Sequence, residues 1–209
     1  MGHKHVVHVI DDEADVCEAL KVLLHTAGME ARTYASAEEF LAEVRLSMPL
    51  CLLVDVRLPG MSGLDLVREL QQGPVRPVVV MITGHGDVPL AVKAMRAGAL
   101  HFLEKPFEPA ELLQTLEEAH QRVSELAAEE ATSAAVEASY RSLTPREQEV
   151  MALLAEGMPT KLLATKLGIS TRTAEHHRAA VLKKMGARTL SHLARMSINL
   201  QSRNMLIRS

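Results

Sequence analysis

The spacing of apolar positions changes twice along this chain. From residue 5 to about residue 120, short apolar runs alternate with stretches whose apolar residues recur three and four apart, which predicts strands alternating with amphipathic helices. Strands are expected at 5–10, 30–34, 51–55, 78–82 and around 101–103. The first is followed by a helix over about 15–26 that Gly28 stops, and the second by a helix opened by a capping box, Ser36 with Glu39 three residues on. The third leads to a helix over 62–70, the fourth to one over 87–97 with Gly98 as its stop, and the fifth to one starting near Pro109. Five such units imply a parallel sheet covered by helices on both faces.

Beyond residue 140 only the helical spacing survives. Thr144, Pro145 and Glu147 read as N-cap, first helical position and capping-box partner of a helix that Gly157 ends. Helices follow over 160–167, 171–185 and about 189–200, the first two of these separated by the tight turn Gly168-Ile169-Ser170. Two helices across such a turn form a helix-turn-helix, whose second member enters the major groove of DNA. In that second helix Ala174, Val181, Leu182 and Met185 form an apolar stripe expected to dock on Leu153, Leu154, Leu163 and Leu167. Arg172, Glu175, His176, Ala179 and Lys183 fall on the opposite side, where DNA would lie.

Between the halves, Leu112, Leu116, Ala119, Val123 and Leu126 are spaced four and three apart. They make a coiled-coil seam of two heptads that could aid dimerisation; the plainer reading packs Leu112 to Ala119 on the sheet and leaves an Ala/Glu-rich helical spacer behind them. The domains expected are therefore 1–122, a helical linker at 123–139, and 140–209. The fold class is α/β plus all-α: a flavodoxin-like, doubly wound, five-stranded parallel domain followed by a four-helix helix-turn-helix domain.

At 209 residues the chain can bury two cores, and 47% apolar with 23% charged residues is ordinary for a globular protein. No apolar run approaches the roughly eighteen residues of a membrane span, and the opening residues lack a secretory pattern, so a cytoplasmic protein without membrane association is expected. Cys17 and Cys51, in a helix and a strand, read as reduced core thiols. Charge changes the picture most. Residues 1–122 carry 11 Lys and Arg against 18 Asp and Glu, residues 123–138 none against 4, and residues 139–209 12 against 4. The net values of −7, −4 and +8 suit a first half that handles cations and a last third that meets a polyanion.

The candidate chemistry gathers where strands end. The first ends in Asp11, Asp12 and Glu13, the third in Asp55, the fourth in Thr83 and the fifth in Lys105 followed by Pro106. Singly, each reads as a turn residue, a cap or a surface charge. In a doubly wound sheet, however, the first and third strands are neighbours and the crevice lies at their carboxyl ends. Carboxylates crowded there call for a hard divalent cation, and Mg²⁺ would leave room for a phosphoryl oxygen. Lys105 and Thr83 would supply a positive charge and a hydroxyl donor to the same oxygens.

The set Asp11-Asp12, Asp55, Thr83 and Lys105-Pro106 resembles the receiver domain of two-component response regulators, over essentially residues 5–122. The stretches ITGHGDVPLAVKAMRAGA and FLEKPFE resemble the FixJ-like subgroup in particular. The resemblance implies that Asp55 is the phosphoacceptor, and that Asp11 and Asp12 hold Mg²⁺ together with Asp55 and the main-chain carbonyl of Arg57. It further implies that Lys105 contacts the phosphoryl group, that Thr83 and Phe102 form the switch, and that the peptide before Pro106 is cis.

Residues 140–200, with LTPREQEV and LLATKLGISTRTAEHHRAAVLKKMGA, resemble the LuxR-type DNA-binding domain. By position Glu175, His176 and Ala179 would read bases, with His176 where Val is common; Lys161, Thr171, Arg172, Arg178, Lys183 and Lys184 would contact phosphates. A metal site at His176-His177 is disfavoured, since adjacent helical residues diverge by about 100°. The expectation is a phosphorylation-controlled transcription regulator whose partners are a sensor histidine kinase, double-stranded DNA and, on phosphorylation, a second copy of itself. Two other readings remain: a Mg²⁺-dependent phosphatase with an aspartyl nucleophile, and a receiver-shaped binding module that works without phosphorylation.

Overall fold

β1 (Val6–Ile10) lies between β2 (Glu30–Tyr34) and β3 (Cys51–Asp55), and the sheet continues through β4 (Val78–Thr83) to β5 (His101–Glu104), all parallel, in the order β2-β1-β3-β4-β5. The computed structural model describes residues 5–84 and 88–206, with side chains described as far as residue 201. Every residue of β3 and β4 is buried, as central parallel strands covered on both faces require. The strand order reverses beside β1, so the crevice at its carboxyl end opens between β1 and β3.

Side-chain alternation along the strands feeds two separate cores. Val7, Val9, Cys51, Leu53, Val80 and Ile82 face α1 (Ala14–Thr26) and α5 (Pro109–Arg141). Ile10, Leu52, Val54, Val79 and Met81 face α2 (Ala37–Glu43), α3 (Gly63–Gln71) and α4 (Val88–Ala97). Phe40 of α2 is fully buried on the second side, edge-on to Tyr34, and burial of a side chain that size contributes about 1.5–3 kcal/mol. The expectation that Asp87 belongs to the fourth helix lies outside the described residues. Both thiols are free and buried, and burial pushes that of Cys51 up to about 12, so it stays protonated.

One local expectation changes in detail. Ser36 does cap α2 by accepting from the Glu39 amide, but the carboxylate of Glu39 accepts from Ala35 rather than from Ser36, so the box is displaced by one residue. α5 runs unbroken to Arg141. Leu112, Leu116 and Ala119 are fully buried against the sheet, with Val123 and Leu126 half-buried on the same core. These apolar positions thus pack on the core of the first unit.

The chain divides into two compact units, residues 1–127 and 128–209. In the second unit α6 (Pro145–Ala155), α7 (Thr160–Leu167), α8 (Thr171–Met185) and α9 (Leu190–Leu206) surround one core. α9 extends six residues past the expected end at Leu200. Val136, near the end of the expected helical linker, is buried in the same core as Leu143.

Candidate functional site

Strand register assembles the acidic pocket. Ile10 pairs with Val54, so the next positions, Asp11 and Asp55, fall side by side where β1 and β3 end. Asp55 pairs with Ile82, which places Thr83 one step further along β4, and Thr83 pairs with Glu104, which places Lys105 just past β5. The Lys105 amide donates to the Thr83 carbonyl at 2.7 Å, and the peptide between Lys105 and Pro106 is cis. Four strand ends meet at one edge because parallel strands of similar length in neighbouring register must end together.

The Lys105 ammonium donates to Asp55 Oδ2 at 2.6 Å and to Asp11 Oδ2 at 2.7 Å, and stands 3.3 Å from Glu13 Oε1. Asp11 and Asp55 are buried, while Glu13 reaches in from the rim. One ammonium therefore faces three carboxylates. Burial pushes the Asp11 carboxyl up, although the Lys105 hydrogen bond pulls against it. Burial would lower Lys105, but the hydrogen bonds and charges of Asp11 and Asp55 outweigh it and hold the ammonium firmly charged.

Ligand oxygens of Asp11, Glu13 and Asp55 lie within 4.8 Å of one another. An all-oxygen donor set with negative charge left over after Lys105 fits a hard divalent cation such as Mg²⁺. Asp12, also expected to hold the ion, is exposed and its carboxylate is not among these three, while Asp11 is buried and its amide bonds the Tyr34 carbonyl. Glu13 was missed as a site residue. Its amide donates to Asp11 Oδ1 at 3.0 Å, a local turn that swings its carboxylate back over the pocket and that the run of three acids foreshadows.

The loop after β3 completes the pocket. The Arg57 amide donates to Asp55 Oδ1 at 2.7 Å, so the two carboxylate oxygens are engaged by different donors. Ser62 caps α3, and Gly63 comes so close beneath that a Cβ there would sit 2.0 Å from the Asp55 carbonyl oxygen. Thr83 is fully buried, and Phe102 is half-buried against the core that includes Ala94 and Ala99.

In the second unit the helix-turn-helix forms as expected. Gly168 closes α7 in the left-handed conformation, and Ser170 caps α8 by accepting from the Thr173 amide at 3.1 Å. Ala174, Val181 and Met185 are buried and Leu182 half-buried in a core with Leu153, Leu154, Leu163 and Leu167. Lys161, Thr171, Arg172, Glu175, His176, Ala179 and Lys183 are all exposed.

Two of the basic candidates, Arg178 and the exposed Lys184, also make bonds within the unit. Arg178 is half-buried and its guanidinium reaches Thr160 Oγ1 at 3.4 Å, joining α8 to the start of α7. The Lys184 ammonium bonds Glu147 Oε2 at 2.6 Å, joining α8 to α6. Glu147 is 6% exposed, and its carboxyl is drawn down to about 2 by Lys184 first and then by the Thr144 amide. A depressed carboxyl stabilises the fold above the ordinary value of 4.5, and that contribution disappears as pH falls toward 2. Acid titration of stability should therefore be steeper for the wild-type chain than for Glu147→Gln across that window, measured by urea midpoints; equal slopes would refute the pair's role.

The chain matches the family model for the response regulator receiver domain over residues 7–117 and that for bacterial regulatory proteins of the luxR family over 141–197. It is 40% identical over 197 residues to the transcriptional regulatory protein FixJ of Rhizobium meliloti, covering 93% of this chain and 95% of that one. It is 44% identical over 193 residues to the C4-dicarboxylate transport transcriptional regulatory protein DctR of Rhodobacter capsulatus, covering 91% and 98%. The solved structure of the response regulator StyR superposes with a TM-score of 0.80 at 39% identity, covering 93% of this chain and 98% of that one.

Proposed function

Since the chain belongs to the response regulators, with a receiver domain followed by a LuxR-type DNA-binding domain, and is a transcription regulator under phosphorylation control, we propose that Asp55 is the residue that takes the phosphoryl group. The observation that carries this is the meeting of Asp55, Asp11 and Lys105 within 2.6–2.7 Å hydrogen bonds at the ends of three strands. A carboxylate oxygen of Asp55 attacks the phosphorus of a phosphohistidine on a sensor kinase, the P–N bond breaks, and the imidazole leaves. Lys105 holds the transferring oxygens by charge, and the Arg57 amide orients the nucleophile. Mg²⁺ would be held by Asp11, Asp12 and Asp55 with the Arg57 carbonyl, Glu13 adding a carboxylate, and when bound would supply positive charge against the phosphoryl oxygens.

The new dianion draws the buried hydroxyl of Thr83 toward it, and Phe102 moves into the space released, a shift between two packings. The altered surface favours a homodimer, which presents two α8 helices to paired half-sites of double-stranded DNA in the cytoplasm. Supporting the DNA reading are the charge of +8 over residues 139–209 and the exposed polar face of α8. The relatives are transcriptional regulators; a turnover phosphatase would use an acid two positions beyond its nucleophile, where this chain has Arg57. Mg²⁺-dependent labelling by acetyl phosphate, mapped to the residue, is the test. Label on Asp55 without sustained ester turnover supports the proposal; label elsewhere, none, or continuous turnover defeats it.

The DNA face makes its own prediction. Arg172→Ala and Lys183→Ala should each weaken binding on all sequences and reduce the slope of log affinity against log salt by about 0.9. His176→Ala should change base preference and leave that slope alone. Lys184→Ala should lower the urea midpoint instead, because its ammonium holds α6. Salt titrations of fluorescent operator binding check all of these, and a Lys184→Ala variant of full stability with a reduced slope would return that residue to the phosphate contacts.

A further inference from the structure

Glu38 stands in the first turn of α2, where the local duties of a helix start are already taken: Ser36 caps the Glu39 amide, and Glu39 itself bonds Ala35 at 2.6 Å. Glu38 instead reaches across 23 positions of sequence and accepts from the Met61 amide at 2.8 Å. Met61 lies at the far end of the loop whose near end, the Arg57 amide, holds the nucleophilic carboxylate. Gly60 has φ +75° and a Cβ there would come within 2.4 Å of Glu38 Oε1, so the loop has a glycine where the carboxylate must enter. The Met61 amide also draws the Glu38 carboxyl below its ordinary value.

The rest of the loop is held from within. Val56 and Leu58 are buried, Val56 bonds Ile82, and Gly63 bonds Val56. Among the described residues, two amides of the loop 56–61 bond side chains, that of Arg57 to Asp55 and that of Met61 to Glu38. We propose that Glu38 is a positioning residue for phosphoryl acceptance: by tethering Met61 it fixes the loop that presents the Arg57 amide and carbonyl to the pocket. The inference rests on Asp55 being the acceptor. Loss of the tether leaves the fold standing, since an exposed hydrogen bond contributes little to stability, yet it loosens a geometry on which transfer depends steeply.

The experiment uses the full chain, acetyl phosphate and saturating Mg²⁺, following label on Asp55 with time. Glu38→Ala should label about tenfold more slowly than wild type. Glu38→Gln keeps an acceptor oxygen for Met61 and should return to within about twofold, with urea midpoints unchanged for both. A Glu38→Ala chain that labels at the wild-type rate, a Glu38→Gln chain as slow as Glu38→Ala, or a slowing that merely follows lost stability would each overturn the tether. If wild type itself takes no label at Asp55, the proposed function fails and this inference with it; normal wild-type labelling with an indifferent Glu38→Ala removes the inference alone.

Discussion

Asp55→Asn should abolish the rise in DNA affinity expected of the wild-type chain with acetyl phosphate and Mg²⁺, a loss of about 5- to 150-fold for a coupling of ordinary size. The substitution keeps the volume and one acceptor oxygen, so the Arg57 amide retains a partner and the backbone is undisturbed. Lys105 retains Asp11 at 2.7 Å, so its charge is not stranded. What goes is the nucleophile, because an amide oxygen does not displace a phosphohistidine. The measurement is operator affinity of both chains with and without the phosphodonor, accompanied by a thermal melt. An Asp55→Asn chain whose affinity still rises would show that the DNA-binding unit is controlled from somewhere other than this pocket.

The second large effect concerns Gly63, where two physical arguments point in opposite directions. It is a residue of α3, and replacing glycine by alanine within a helix ordinarily stabilises by about 0.8–1.0 kcal/mol. Here, however, the new Cβ would lie 2.0 Å from the Asp55 carbonyl oxygen and 3.0 Å from Val54 Cγ1. Both neighbours belong to β3, the fully buried central strand, and neither can retreat without moving the sheet. Overpacking against rigid backbone costs about 3 kcal/mol or more, so the net result is destabilisation. Urea denaturation of Gly63→Ala should give a clearly lower midpoint, and any soluble fraction should label poorly because Asp55 is displaced. A midpoint at or above that of wild type would show that α3 does not press on β3 as described.

Much of the first unit was legible because its signals are local and repeat. Five apolar runs, each followed by helical spacing, left little freedom beyond strand order, and bounds such as those of β2, β3, α7 and α8 agree with expectation to the residue. The cap at Thr144 was readable for the same reason, a side chain bonding an amide three residues away. The pocket was legible only in part. Asp11, Asp55 and Lys105 could be named from strand ends, but the approach of Glu13 to Asp11 and Asp55 depends on how the chain turns after β1. Likewise the pairing of Lys184 with Glu147 depends on how α8 packs on α6.

By itself the sequence determined the alternation of elements, the acidic and basic halves, and which strand ends carry chemistry, since these follow from periodicity and residue type. Tertiary structure alone decided which carboxylates share Lys105, which cations are engaged in internal pairs, and that Glu38 reaches the loop beside Asp55. Those outcomes join residues 18 to 94 positions apart, and such pairs are set by strand register and helix packing, which no local pattern encodes.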